Sequence, residues 1–172
     1  MILYKQSGLA IYFGDKGESF VPGQFYGLKD SKMFLEEGPF AQAFAGAKKA
    51  LDLQDLALVR QTHGVEGLIV AKMREYMPYE HEGDYLITNI PHVGLGITTA
   101  DCLPIVFYDP MQHVIANAHA GWKGTLAGIA PKVVRDMQKV YDCKPENIQV
   151  FLGLLRACVV MKLDTILYRI LI

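Results

Sequence analysis

The chain has 172 residues, 51% of them apolar and 20% charged, with a formal net charge of -1. Such a composition excludes a disordered chain and leaves room for one domain with a substantial core. The near-zero charge, with no run of like charges and no Lys/Arg stripe, excludes the electrostatic footprint expected of a nucleic-acid or anionic-membrane binder.

In chain order, the segment from Gly8 to Gly38 is punctuated by glycine and weakly periodic. Leu9–Phe13 is expected to be a strand, followed by loops around Gly14, Gly17, Pro22, Gly23 and Gly27. Pro39 opens AQAFAGAKKALDL, in which Phe40, Ala43, Phe44, Ala47 and Leu51 fall at helical spacing. From there the pattern turns strand-like. Leu56–Arg60, Gly67–Ala71, Tyr85–Thr88, Val93–Thr98, Pro104–Tyr108 and Val114–Ala118 are short runs rich in branched and aromatic residues, separated by Gly64, Asn89–Pro91 and Asp109–Pro110. Asp109-Pro110 shortly before VIANAHA predicts an antiparallel hairpin. Thr125–Tyr141 reads as a second helix with Leu126, Ile129, Val133, Met137 and Val140 on one stripe. Pro131 inside it requires a later start or a kink. Ile148–Leu152 is a further strand. The expected fold is α+β (mixed α/β): a single domain with a mixed, largely antiparallel sheet packed by helices.

No stretch reaches the ~20 apolar residues that cross a bilayer, and the opening MILYKQSGLAIYFGDKG lacks the form of a secretory signal. The three cysteines, at 102, 143 and 158, are irregularly spaced and odd in number. They do not form a disulfide framework and favour a reducing, cytoplasmic setting.

Three segments carry the chemistry: Gln61-Thr62-His63-Gly64, Thr99-Ala100-Asp101-Cys102-Leu103-Pro104 and His119-Ala120-Gly121-Trp122-Lys123-Gly124. Each places an imidazole or thiol at the end of an expected strand, beside turn-forming residues, where scaffolds present reactive groups. Two imidazoles and a thiolate suit Zn²⁺, and three protein ligands with a fourth position open is the catalytic pattern. Such an ion keeps its thiol ligand deprotonated and brings a coordinated water to a pKa of about 7. The wide separation of the three is unlike compact zinc signatures, so spacing leaves a second reading open: half-buried, hydrogen-bonded histidines and an inert core thiol.

QTHG, TADCLP and HAGWKG, in this order, resemble the hallmark segments of the YfiH-like family, long known as multicopper polyphenol oxidase or laccase-domain proteins. The resemblance is nearly continuous through GDYLITNIPHVGLGITTADCLPIVFYDP and VIANAHAGWKGTLAGI, firm from Leu56 to Leu152 and fainter toward the N-terminus. It implies a CNF/YfiH-like cysteine-hydrolase fold type and His63, Cys102 and His119 as zinc ligands. The implied activities are purine nucleoside phosphorylase and adenosine deaminase, acting on adenosine, inosine or methylthioadenosine. The implied partners are a purine nucleoside and phosphate, with no nucleic acid and no membrane; a homo-oligomer is an open expectation.

Around the ligands, Asp101 is expected to act as general base or to orient a water, or else to hold a turn. Lys123 stands where the family commonly has arginine, keeping a cation for phosphate but without bidentate geometry. Gly121, Gly124 and Thr125 open the expected helix, where free N–H groups suit an anion. Trp122 either stacks on a purine or packs the turn. Catalytic roles are thus expected for Asp101, Cys102 and Lys123, and substrate binding for Trp122, Gly124 and Thr125. Asp84 aligns with an acidic residue of the family core, with two readings open: a hydrogen bond to a ligating histidine, or a strand start. His81, His92 and His113 read as surface residues, and Cys143 as structural.

After IQVFLG the family runs on through a glycine-proline-containing segment and a paired-cysteine stretch near CCYEV, whereas this chain reads LLRACVVMKL. Codons for VVMKL read in a neighbouring frame give CCYEV-like residues. The expectation is a C-terminally truncated or frame-shifted chain: an incomplete metal-dependent domain over 1–152 and an atypical apolar tail over 153–172 that does not pack natively. The alternatives carried with the zinc reading are a metal-free Cys-His amidohydrolase, a copper-dependent polyphenol oxidase with Cu in place of Zn, and an inactive truncated form.

Overall fold

The computed structural model describes residues 2–13, 39–72, 78–153 and 158–163. In chain order the elements are β1 (Ile2–Gln6), β2 (Leu9–Phe13), α1 (Pro39–Leu51), β3 (Asp55–Leu58), β4 (Gly67–Ile69), β5 (Tyr85–Thr88), β6 (Val93–Thr98), β7 (Leu103–Asp109), β8 (Val114–Ala120), α2 (Trp122–Leu126), α3 (Ile129–Tyr141), β9 (Gln149–Leu152) and β10 (Cys158–Leu163), with a 3₁₀ turn at Pro145–Asn147. The glycines and proline at 14–27 lie outside the described residues.

The strands form two sheets rather than the one expected. The first has the order β1-β2-β10-β6-β3 and the second β4-β5-β8-β7-β9. Each is mixed: β3–β6 and β4–β5 are parallel, and the other ladders are antiparallel. Side-chain alternation sorts the residues into layers. Leu9 and Ile11 of β2, with Leu95 and Ile97 of β6, meet Leu86, Val106, Tyr108 and Ile115 of the second sheet in one buried cluster. On the outer face of the first sheet Ala10, Tyr12, Leu56 and Leu58 pack against Ala43, Phe44, Ala47 and Leu51 of α1. On the outer face of the second, Tyr85, Ile87, Ile105 and Phe107 pack against Ile129, Val133 and Met137 of α3. The order is therefore helix, sheet, sheet, helix. Each fully buried aliphatic side chain of α3 contributes up to about 1.5–3 kcal/mol through burial.

The expected helix over Thr125–Tyr141 is two helices. Gly128 takes a left-handed φ of 81° and separates α2 from α3, which glycine does without the Cβ penalty. Pro131 then falls in the first turn of α3, where no intrahelical N–H donor is required. Leu126 and Val140 are exposed, not on the buried stripe. The strand at β1 was not foreseen. Nor was β10: residues 158–163 form a strand paired on one side with β2 and on the other with β6. Among the described residues no helix is long and apolar enough to cross a membrane.

Candidate metal centre

The second sheet gathers the site at one end. Strand β8 is central, and its register sets Leu103↔Ala120 and Pro104↔His119 against β7. Cys102, immediately before β7, is thereby brought beside His119 near the end of β8. On the other side β5 pairs Tyr85 with Ala118, and the His119 N–H donates to the Asp84 carbonyl at 2.7 Å, so Asp84 lies next to His119. His63 sits in the loop after β3 with a left-handed φ of 62°. Its loop is fastened to the same end by the bridge between Arg60 and Glu82.

The ligand atoms of His63, Cys102 and His119 all lie within 4.8 Å of one another, the only such grouping of His, Cys and acidic residues among the described residues. The His63 and His119 rings meet edge to face, centroids 4.6 Å apart. His119 is buried, Cys102 half-buried and His63 exposed, so the trio opens to solvent on the His63 side.

Asp84 organises the group. Its carboxylate is fully buried and accepts hydrogen bonds from the N–H groups of Thr62, His63 (2.9 Å) and Gly64 (2.7 Å) and from Thr62 Oγ1 (2.9 Å). It also faces His119 Nδ1 at 2.9 Å. A carboxylate can only accept here, so the His119 proton sits on Nδ1 and Nε2 is left as the ligand nitrogen. Burial pushes the Asp84 carboxyl upward, but His119 and the hydrogen bonds from Gly64, Thr62 and His63 outweigh it and bring it to about 2. Both open readings of Asp84 hold: it precedes β5 and it orients a histidine.

The Cys102 thiol is pushed up, first by desolvation and then by Asp101, whose Oδ1 lies 3.6 Å from Sγ. A thiol so placed needs a neighbouring cation to ionise near neutral pH. Two imidazoles and this thiol are a donor set that fits Zn²⁺, whose positive charge would stabilise the thiolate that burial and Asp101 disfavour.

Two glycines bring the third segment into contact. A Cβ built on Gly121 would stand 3.0 Å from His63 Cδ2 and 3.2 Å from Cys102 Sγ, so that residue borders the trio directly. A Cβ on Gly124 would stand 2.7 Å from the Gly64 carbonyl oxygen. Gly124 is buried there and serves the close approach of α2 to the His63 loop. Since backbone cannot yield as a flexible side chain does, Gly124→Ala is expected to cost about 1–3 kcal/mol of stability, measured by urea unfolding of the metal-free protein; an unchanged midpoint would refute the contact.

The remaining expected residues divide. Asp101 is exposed beside Cys102. Trp122 is 73% exposed, with Lys123 Nζ over its ring at 5.6 Å. The Thr125 N–H is engaged by the Gly121 carbonyl at 2.8 Å inside α2 and is not available to an anion. His81 and His113 are exposed and, like the half-buried His92, stand outside the trio. Cys143 is buried, its thiol raised to about 12 by burial and by Asp109. A contact the sequence does not announce is that of Gln61, whose side chain bonds the Thr98 backbone; a glutamine in a loop carries no local signal of such a partner.

Residues 40–158 match the model of a family described as multi-copper polyphenol oxidoreductase laccase. A purine nucleoside phosphorylase of Deinococcus radiodurans is 36% identical over 133 residues, covering 76% of this chain and 50% of that protein. Adenosine deaminase RL5, from an unknown prokaryotic organism, is 37% identical over 109 residues, covering 60% of this chain and 41% of that protein. The chain thus spans about half the length of these relatives. The crystal structure of Bacillus licheniformis hypothetical protein YfiH superposes with a TM-score of 0.66 at 25% identity, over 84% of this chain and 58% of that one.

Proposed function

Because this chain belongs to the family described as multi-copper polyphenol oxidoreductase laccase, and its relatives bear the names of phosphorylases and a deaminase, we propose that it is a zinc-dependent purine nucleoside enzyme. The reactions are phosphorolysis of adenosine, inosine or methylthioadenosine, giving the base and ribose 1-phosphate (5-methylthioribose 1-phosphate from methylthioadenosine), and hydrolytic deamination of adenosine to inosine and ammonia. The observation that carries this reading is the convergence of His63, Cys102 and His119 at a solvent-open edge.

In this reading those three side chains hold the ion, which when bound supplies Lewis acidity and an acidified water. Asp84 holds the His119 ring with Nε2 outward. Asp101, exposed beside the thiol, receives a proton from an incoming water. Lys123 offers its ammonium to phosphate, and the exposed Trp122 ring offers an aromatic face to the purine. Gly124 seats α2 against the His63 loop, and the exposed Thr125 beside it offers its hydroxyl to substrate.

A second reading follows the family description itself, oxidation of phenols by copper. Multicopper chemistry needs several metal clusters, and the described residues contain one candidate group. A metal-free amidohydrolase would use Cys102 as nucleophile with His63 or His119 as base, and alkylation of Cys102 in the metal-free chain tells it from the zinc reading.

Elemental analysis of the purified chain, paired with inosine and adenosine turnover, tests the proposal. The expected result is one zinc per chain with phosphate-dependent release of hypoxanthine from inosine. Copper with phenol oxidation, or turnover that survives complete removal of metal, would overturn it.

A further inference from the structure

The three ligands come from three separate places, and two of the three spacings between them already have a structural cause. The β7–β8 hairpin sets Cys102 against His119. Asp84 sets His63 against His119 by bonding both. The remaining spacing, between the His63 loop and the Cys102 loop, falls where the backbone ladder between β3 and β6 has ended, its last rung being Leu58↔Gly96.

At that point a side chain continues the ladder. Gln61 Nε2 donates to the Thr98 carbonyl at 2.7 Å, and Gln61 Oε1 accepts from the Thr98 N–H at 2.9 Å and from Thr98 Oγ1 at 3.0 Å. The amide therefore exchanges a donor and an acceptor with the backbone of one residue, as a neighbouring strand would. Gln61 stands in the loop that carries His63, and Thr98 is the last residue of β6 before the loop that carries Cys102.

We propose that Gln61 is a positioning residue for the metal centre, its side-chain amide setting the separation of the His63 nitrogen from the Cys102 sulfur by clamping their two loops together at Thr98. This rests on reading His63, Cys102 and His119 as ligands. The clamp needs both halves of an amide. Glutamate keeps the acceptor for the Thr98 N–H but turns a second oxygen toward the Thr98 carbonyl, and methionine keeps the length while removing both bonds. Neither change touches a ligand or a residue of the substrate site.

The test is a Co²⁺ titration against a competing chelator, following the thiolate–cobalt absorption, on the full chain as wild type, Gln61→Met and Gln61→Glu, with urea unfolding of each metal-free form. Wild type is expected to take up one Co²⁺ per chain. Both variants should bind about tenfold more weakly, the loss typical when a group supporting a ligand is removed, with an altered thiolate band. A merely stabilising role would lower the metal-free unfolding midpoint while leaving affinity and spectrum unchanged, and that result overturns the proposal. Glutamate keeps part of the clamp, so Gln61→Glu carries the measurement should Gln61→Met fail to fold. Wild type that binds no Co²⁺ and no Zn²⁺ refutes the metal reading itself, whereas tight wild-type binding matched by both variants refutes only the role of Gln61.

Discussion

Exchange of Asp84 for alanine is expected to destabilise the metal-free protein by about 2–5 kcal/mol, because several donors lose one buried acceptor. The carboxylate is fully buried, and its loss strands the N–H groups of Thr62, His63 and Gly64, the Thr62 hydroxyl and His119 Nδ1. Each buried donor left unpaired costs about 1–3 kcal/mol, although Thr62 and His63 are exposed enough for water to recover part of that. Metal affinity should fall by roughly ten- to a hundredfold, since His119 loses the acceptor that fixes its tautomer and ring. Asp84→Asn keeps the shape but aims an NH₂ group at donors, so it should fall close to alanine. Urea unfolding and chelator competition measure the two effects, and an Asp84→Ala chain within about 1 kcal/mol of wild type would refute the anchoring role.

A pH dependence follows from the same group. Its carboxyl lies at about 2 in the folded chain against 3.8 ordinarily, so the stabilisation is complete above pH 3.8 and is lost as pH falls through 2. The difference corresponds to roughly 2 kcal/mol. Acid titration of metal-free wild type should therefore show a loss of stability in that window that Asp84→Asn lacks.

Cys102→Ala is expected to abolish stoichiometric zinc binding and, with it, both purine reactions, while the fold survives. Two imidazoles remain, too few for the three-ligand set of a catalytic zinc. The side chain is half-buried and its one described hydrogen bond is the 3.6 Å contact with Asp101, so metal-free stability should shift by no more than about 1 kcal/mol. The same position separates the metal from the nucleophile reading. Bound zinc should protect Cys102 from alkylation, and because the ion must displace a proton from a raised thiol, affinity should weaken as pH falls. A metal-free chain whose Cys102 alkylates rapidly at neutral pH and still turns over substrate would overturn this.

How much of this was legible depended on the range of the interaction concerned. The helix at Pro39–Leu51 and the strands at Tyr85–Thr88 and Val93–Thr98 were readable because period and turn residues are local properties. The division into two sheets was not. Strands β5 and β8 are buried along their whole length, so they present apolar side chains on both faces and the pattern cannot say which face meets which layer. Pro131 signals a later start than Thr125 or a kink, and α3 does start later, at Ile129; that a separate short helix, α2, precedes Gly128 is not legible, because the stripe of apolar residues runs through the break.

His63, Cys102 and His119 were identifiable as residue types at strand ends, and the segments around them carried the family resemblance. Chain order alone, however, does not bring an imidazole after β3 to a thiol before β7. The sequence by itself determined the donor chemistry, two nitrogens and one sulfur, and the short-range glycines that let backbone come close. Only the tertiary structure decided their convergence: β8 pairing with both β5 and β7, Asp84 joining His63 to His119, and Gln61 bonding Thr98. The physical reason is that hydrogen-bond partners distant in the chain leave no periodic trace in the sequence. They are selected by register and burial, which exist only once the strands have paired.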